Sequence, residues 1–399
     1  MDLSNYINNG ILDIPEADVL KLNRDELIAT IIANITAGKL TFPVVKNRIS
    51  EPMELFRNLM EYRPVLNFDK QEYRTVTWTS RSLKTEKYRD RYMSFKTRPD
   101  DYDKIDILID YYNELPRMAG KRVDKPYSPL DAWKNVEYMT KLIGEALDKH
   151  QGISSHIMRE AIWKSGLECN SFKASLASSV YWEFDAKRIL DISAGWGDRL
   201  LASIAHYADR YLGFDPNLAL KSGHDEIIAK FTEHRKLKGN YEVRYSPFEQ
   251  ADLKGELFDL VFTSPPYFDL EQYTELAGQS IISYPDFNDW VVKFLFSSFY
   301  KAWDSLIVGG NMVIHINDYY KTHYVEMMVL FVGGWCLNSV FDGVIGSIGE
   351  SAKARPIWVF YKDRYDNKKN RDYCREELKR NYKDIYELVI KHFPVYSRK

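Results

Sequence analysis

At 399 residues, with 45% hydrophobic and 28% charged side chains, the chain has the length for two domains and the composition of an ordinary soluble globular protein. Its formal net charge of -2 excludes a uniformly basic nucleic-acid binder and confines any nucleic-acid surface to a local patch. Three scattered cysteines, Cys169, Cys336 and Cys374, have neither metal spacing nor a disulfide framework, so no metal site is expected and a cytoplasmic or other reducing intracellular compartment is.

In chain order, Met1–Asn5 lacks the basic and apolar regions of a signal peptide. Helices are predicted at Arg24–Ile35 and Tyr102–Leu115. Between them, Arg74, Arg81, Lys84, Lys87, Arg89, Arg91, Lys96 and Arg98 alternate with Tyr73, Trp78, Tyr88, Tyr92 and Phe95. That mixture suits phosphate pairing and base stacking, and equally suits a solvated charged helix with tyrosines packed beneath. Lys121–Pro129 reads as a linker and Pro129–Lys149 as helix.

From Phe172 onward, strands alternate with helices. Strands are predicted at Arg188–Asp191, Tyr211–Asp215, Tyr241–Tyr245, Leu257–Thr263, Asn311–Ile316, Leu337–Phe341 and Pro356–Tyr361. Helices are predicted at Arg199–Ala208, Leu218–Lys230, Phe287–Leu306 and Tyr320–Phe331, with Gly309-Gly310 read as the turn into the fifth strand. This rhythm predicts an α/β fold: a Rossmann-like, doubly wound, mostly parallel seven-stranded sheet with a mainly helical N-terminal domain. The expected division is 1–128 as an accessory or target-recognition domain, 129–362 as the sheet domain, and 363–399 as a charged tail with an amphipathic helix near Glu376–His392. The longest apolar stretch, Met327–Leu337, is interrupted by Gly333-Gly334 and too short to span a bilayer, so no membrane partner is expected.

Asp191-Ile192-Ser193-Ala194-Gly195-Trp196-Gly197 joins the first of these strands to the first helix. Glycines there let the backbone turn tightly and approach a ligand. Asp215, about 20 residues further on, ends the second strand, where Rossmann-like folds hydrogen-bond a ribose. Leu200 stands where the last glycine of a pyrophosphate loop belongs, and the acid at the strand end suits a cationic ligand, so S-adenosylmethionine is favoured over NAD. The fourth strand runs into Ser264-Pro265-Pro266-Tyr267. Two prolines take the chain out of the sheet and leave a hydroxyl, carbonyls and an aromatic ring at its carboxyl end.

Together these three stretches resemble the ordered motifs of the S-adenosylmethionine-dependent amino-methyltransferases of DNA, over about Phe172 to Tyr361. The resemblance implies a class I methyltransferase fold and S-adenosylmethionine as cofactor. It places Asp191, Ser193, Ala194, Gly195 and Gly197 along the cofactor, Asp215 on its ribose, Phe248 and Glu249 at its adenine and Phe172 over its methionine part. Ser264, Pro265, Pro266 and Tyr267 carry the catalytic role. Phe268, Asp269 and His315 are substrate-binding candidates, with Asp318 and Glu350–Arg355 near the same edge. DNA is the expected partner, with cytosine N4 ahead of adenine N6, base flipping for a duplex and a restriction–modification setting. RNA or protein amino-methylation on the same fold stays open, as does a non-catalytic nucleic-acid-binding or assembly role; the oligomeric state is not specified. Ser193 and Trp196 depart from the usual pattern of the glycine loop.

Overall fold

The computed structural model describes residues 1–67, 77–78, 92–96, 100–149, 152–237, 239–318, 323–348 and 353–393. The chain divides into two compact units: one of residues 1–50, 113–170 and 270–274, the other of 51–112, 171–269 and 275–399. The division therefore does not fall at residue 128. Residues 51–112 join the sheet unit, while the helices of 129–170 belong with the N-terminus.

The first unit is mainly helical. Its helices Arg24–Thr36, Val136–Lys149 and Ser155–Lys164 close on Leu27, Ile31, Met139, Ile143, Met158 and Ile162. Asn23 and Ser154 cap two of them by accepting amide hydrogens from Glu26 and Ile157. The helix predicted over Pro129–Lys149 is broken at Asn135, whose extended backbone separates Pro129–Lys134 from Val136–Lys149. The linker expected at Lys121–Pro129 instead begins with a strand, Lys121–Arg122, paired with Glu271–Gln272. Arg159 and Arg117 are buried, but each is matched by a carboxylate: Arg159 donates to Glu114 and Arg117 to Glu168.

The second unit is built on a sheet with strands β1 (Val65–Asn67), β2 (Thr77–Trp78), β3 (Tyr92–Lys96), β4 (Arg188–Asp191), β5 (Arg210–Phe214), β6 (Asn240–Arg244), β7 (Phe258–Thr263), β8 (Leu306–Ile314), β9 (Ser339–Ile348) and β10 (Lys353–Lys362). Their order is β6-β5-β4-β7-β8-β10-β9-β3-β1, with β2 paired to β10. The strands β6, β5, β4, β7 and β8 are parallel, β10 runs antiparallel to β8, and β9, antiparallel to β10, runs in the direction of the other five. The seven from β6 to β9 form the Rossmann-like sheet of class I methyltransferases, as the sequence rhythm led one to expect. The additional strands come from residues 65–96, within the stretch read as the N-terminal domain.

Buried apolar runs explain the central strands: every residue of β5 is buried, and so is every residue of β7 except Asp259. Gly309-Gly310 lies inside β8 rather than before it. The pairing jumps from Phe258↔Leu306 to Leu260↔Asn311, a bulge that Gly309 accommodates at φ +91°. Helices α1 (Pro52–Glu61), α2 (Ala174–Glu183), α3 (Asp198–Ala205), α4 (Lys221–Arg235), α5 (Ser297–Asp304) and α6 (Tyr324–Trp335) flank the sheet. The helix predicted at Phe287–Leu306 contains a π-helical stretch, Trp290–Phe296, before α5. The C-terminal amphipathic helix is two helices, α7 (Lys368–Asn381) and α8 (Lys383–His392), whose Leu378, Ile385 and Val389 enter the same core as Phe331. Among the described residues, no helix is long and apolar enough to cross a membrane.

Candidate functional site

The strand order reverses between β4 and β7, and open α/β sheets take ligands in the crevice beyond the carboxyl ends of the strands at such a point. Five loops leave the carboxyl edge of the sheet, after β4, β5, β6, β7 and β8.

The glycine loop after β4 is held by a buried frame. Asp191 is fully buried, and its carboxylate accepts from the Ser193 amide (3.1 Å), the Arg199 Nε (2.7 Å) and the Tyr211 hydroxyl (2.8 Å). Arg199 also donates to the Ser193 carbonyl. With these partners Asp191 shapes the loop from below and does not line the crevice, a correction to its expected role. Ala194 is likewise buried, its amide bonded to the Phe214 carbonyl at 2.7 Å. Gly213 on β5 makes that approach possible, because a side chain there would meet Ala194 Cβ at 3.0 Å.

Gly195 and Gly197 take φ of +58° and +109°, which L side chains adopt only with strain. A Cβ on Gly197 would also sit 3.0 Å from His224 and 3.2 Å from Ile109. His224 is fully buried, with Nε2 3.0 Å from the Gly195 carbonyl and Nδ1 3.0 Å from the Tyr245 hydroxyl. Burial pulls its pKa down to about 4, so the ring is neutral, with Nε2–H donating to Gly195 and Nδ1 accepting from Tyr245. Arg199, Tyr211, Gly213, His224 and Tyr245 belong to no motif, and their role emerges only when the elements are assembled.

Asp215, at the end of β5, is half-buried and accepts from the Gly195 amide (2.9 Å) and the Asn217 amide (2.9 Å). Burial raises its pKa to about 6 against the pull of those two amides. After β6, Phe248 is 2% exposed and edge-on to Phe214 at 5.0 Å. Its ring is a core side chain and does not face a ligand, contrary to expectation. Glu249 differs: Oε1 accepts from Tyr284 at 3.2 Å, while the buried Oε2 has no hydrogen-bond partner among the described residues. Burial raises its pKa. Lys301 fixes this turn by donating to the carbonyls of Phe248, Glu249 and Ala251 at 3.3, 2.6 and 2.6 Å.

After β7, Ser264 and Tyr267 are half-buried. Ser264 Oγ lies 3.2 Å from His315 Nδ1, and the His315 amide donates to the Thr263 carbonyl at 2.9 Å. Tyr267 meets Tyr324 edge-on at 6.3 Å. Phe268 is half-buried and lies edge-on to Phe287 (5.4 Å) and Trp290 (5.7 Å), so it buttresses the loop. Asp269 is exposed. Asp318 caps α6 by accepting from the Val325 amide. Phe172 bridges the two main loops: its ring is edge-on to Phe262 (5.7 Å) and His315 (5.3 Å), and the Arg199 guanidinium lies 4.9 Å from its centroid.

The structure thus brings together Phe172, Ser193, Gly195, Gly197, Asp215, Ser264, Tyr267 and His315 around one sheet edge. Of the basic and aromatic stretch at 73–98, only the backbone of Thr77–Trp78 and Tyr92–Lys96 is described; its side chains, like most of Glu350–Arg355, lie outside the described residues. Among the described residues, no group of His, Cys, Asp and Glu is placed to hold a metal.

No known protein-family profile matches the sequence, and neither does any curated protein. Solved structures similar in part include an rRNA methylase from Streptococcus thermophilus (11% identity, 49% of this chain and 99% of that one, TM-score 0.34). An O-methyltransferase from Brevibacillus brevis in complex with S-adenosyl-L-homocysteine is also similar (10%, 56% and 85%, 0.34). So is the Thermus thermophilus 16S rRNA N2 G1207 methyltransferase in complex with AdoMet and guanosine (19%, 47% and 43%, 0.28). At these identities and scores the fold of this chain rests on its own strand order: a class I methyltransferase sheet with its loops gathered at the switch point.

Proposed function

We propose that this chain transfers a methyl group from S-adenosylmethionine to an exocyclic amine of a DNA base, cytosine N4 ahead of adenine N6. The observation that carries the reading is a set of contacts that ties Asp215 to Gly195 of the glycine loop, and Ser193 of the same loop through Arg199, Phe172 and His315 to Ser264, which links a cradle and a diproline loop across the switch point.

The residues fit the cofactor. Gly195 adds no side chain to the cradle, Gly197 lets the loop pack down on His224, and the unpartnered Glu249 Oε2 is an acceptor suited to an adenine amine. Asp215 keeps lone pairs beyond its two amide bonds for vicinal hydroxyls. When bound, S-adenosylmethionine supplies an electrophilic sulfonium methyl, so no enzyme nucleophile is needed.

An exocyclic amine shares its lone pair with the ring and attacks only once its nitrogen becomes tetrahedral. The Ser264 hydroxyl and the Pro265 carbonyl each accept one N–H, and two acceptors set in advance favour that geometry. Tyr267 stacks on the base, held edge-on by Tyr324. Asp269 stands exposed beside the loop as an orienting carboxylate. Positioning supplies most of the acceleration, and a duplex base has to be flipped out to reach the loop.

Incubation with methyl-labelled S-adenosylmethionine and DNA or RNA, followed by nucleoside mass spectrometry, tests the reading. Label is expected in N4-methylcytosine or N6-methyladenine from DNA. Tyr267→Ala is expected to bind the cofactor as the wild type does and to lose transfer. Label found only in RNA would move the substrate to RNA, and no label in any polymer would refute the proposal.

A further inference from the structure

We propose that His315 is a positioning residue whose Nδ1 accepts the Ser264 hydroxyl hydrogen bond, fixing Ser264 Oγ as an acceptor and so favouring a reacting group that brings an N–H. The inference rests on the amine-methylation reading above and adds a residue-level cause for its selectivity.

A serine hydroxyl carries one hydrogen to donate and two lone pairs to accept with, and it rotates to suit its surroundings. Left alone, Ser264 would serve a carbonyl oxygen as readily as an amine. It is not left alone: His315 Nδ1 lies 3.2 Å from its oxygen, and no other hydrogen-bond partner of Ser264 occurs among the described residues. The imidazole itself is anchored. Its backbone amide is tied to the Thr263 carbonyl at the end of β7, and Phe172 meets its ring edge-on at 5.3 Å. Ser264 and His315 thus leave two adjacent parallel strands, β7 and β8, with their side chains joined.

The direction of that bond turns on the charge of the ring and on which nitrogen keeps the proton. Burial, with Arg355 of β10 and Arg199 of α3 as the charged groups facing it, depresses the His315 pKa to about 3. The ring is therefore neutral and has one nitrogen able to accept. With the proton on Nε2, Nδ1 accepts the Ser264 hydroxyl, and both Ser264 lone pairs turn toward the incoming group. A substrate amine gives one N–H to Ser264 and the other to Pro265; a carbonyl oxygen would face lone pairs and leave a half-buried acceptor unpaired, which discriminates strongly.

The tests are transfer kinetics and nitrogen-15 spectra of the histidine ring. His315→Leu, which keeps bulk but not the acceptor, is expected to lower kcat ~10- to 100-fold with S-adenosylmethionine affinity unchanged by calorimetry. His315→Asn, whose amide oxygen can stand near the Nδ1 position, is expected to recover most of that loss. Ser264→Ala combined with His315→Leu should cost no more than Ser264→Ala alone, because the two act as a unit. The wild-type spectrum should show a neutral ring protonated on Nε2 between pH 6 and 8. A ring protonated on Nδ1, additive losses, or an unchanged kcat in His315→Leu would each overturn the inference while leaving the methyltransferase reading intact. A wild type that transfers no methyl group to any amine would instead remove that reading, and the ring spectrum would still decide the direction of the bond.

Discussion

Gly197 and Gly255 both have positive φ, +109° and +75°, but only Gly197 lacks room for a side chain. Gly197→Ala is expected to cost about 2–4 kcal/mol in denaturant unfolding, combining left-handed backbone strain with the clash on His224 and Ile109. Gly255→Ala should cost only about 1 kcal/mol, from the backbone alone. At this scale sequence indicated which residues stand at the strand ends but not where their side chains point. Asp191 was assigned to the ligand because it ends a strand, yet Arg199, from the next helix, and Tyr211, from the next strand, consume its carboxylate. Phe248 follows a proline in a loop and still turns into the core beside Phe214. His224 has no motif around it, and only the folded helix places it under Gly195.

Among the elements, the turn after β6 depends on a distant helix. Lys301 of α5 gathers three of its carbonyls, and the same turn presents Glu249. Lys301→Met should destabilise the fold by about 1–3 kcal/mol and weaken S-adenosylmethionine binding, read by unfolding and calorimetry on the same preparation. Binding unaffected by that substitution would show that Glu249 needs no such support. Strand and helix identities from Arg188 to Trp335 were legible because buried strands read as apolar runs and helices as periodic ones. Two local features were not. The bulge in β8 makes Gly309-Gly310 look like a turn, and the π-helical Trp290–Phe296 has the composition of any buried helix.

Across the molecule, the alternation of strands and helices specified the seven-stranded sheet, whereas the division into units was hidden because both are discontinuous in sequence. Stability should depend on pH through buried groups of opposite sign. His206, His224 and His315 have folded pKa values of about 4, 4 and 3, below the ordinary 6.5. The unfolded chain therefore binds more protons, and their contribution is complete above pH 6.5 and lost as the pH falls toward 4. Asp106 and Asp215, raised to about 6 from 3.8, act oppositely: their contribution is complete below pH 3.8 and lost as the pH rises through 6. Replacing His224 by Gln should thus flatten the fall in unfolding free energy between pH 6.5 and 4, and an unaltered slope would mean that His224 is not held neutral.

Titration of S-adenosylmethionine into the intact protein by calorimetry tests most directly whether the loops at the switch point form one cofactor site. Saturable one-to-one binding is expected, weakened in Glu249→Gln while circular dichroism shows the fold retained. Absence of binding by the wild type, or full binding by Glu249→Gln, would contradict the account.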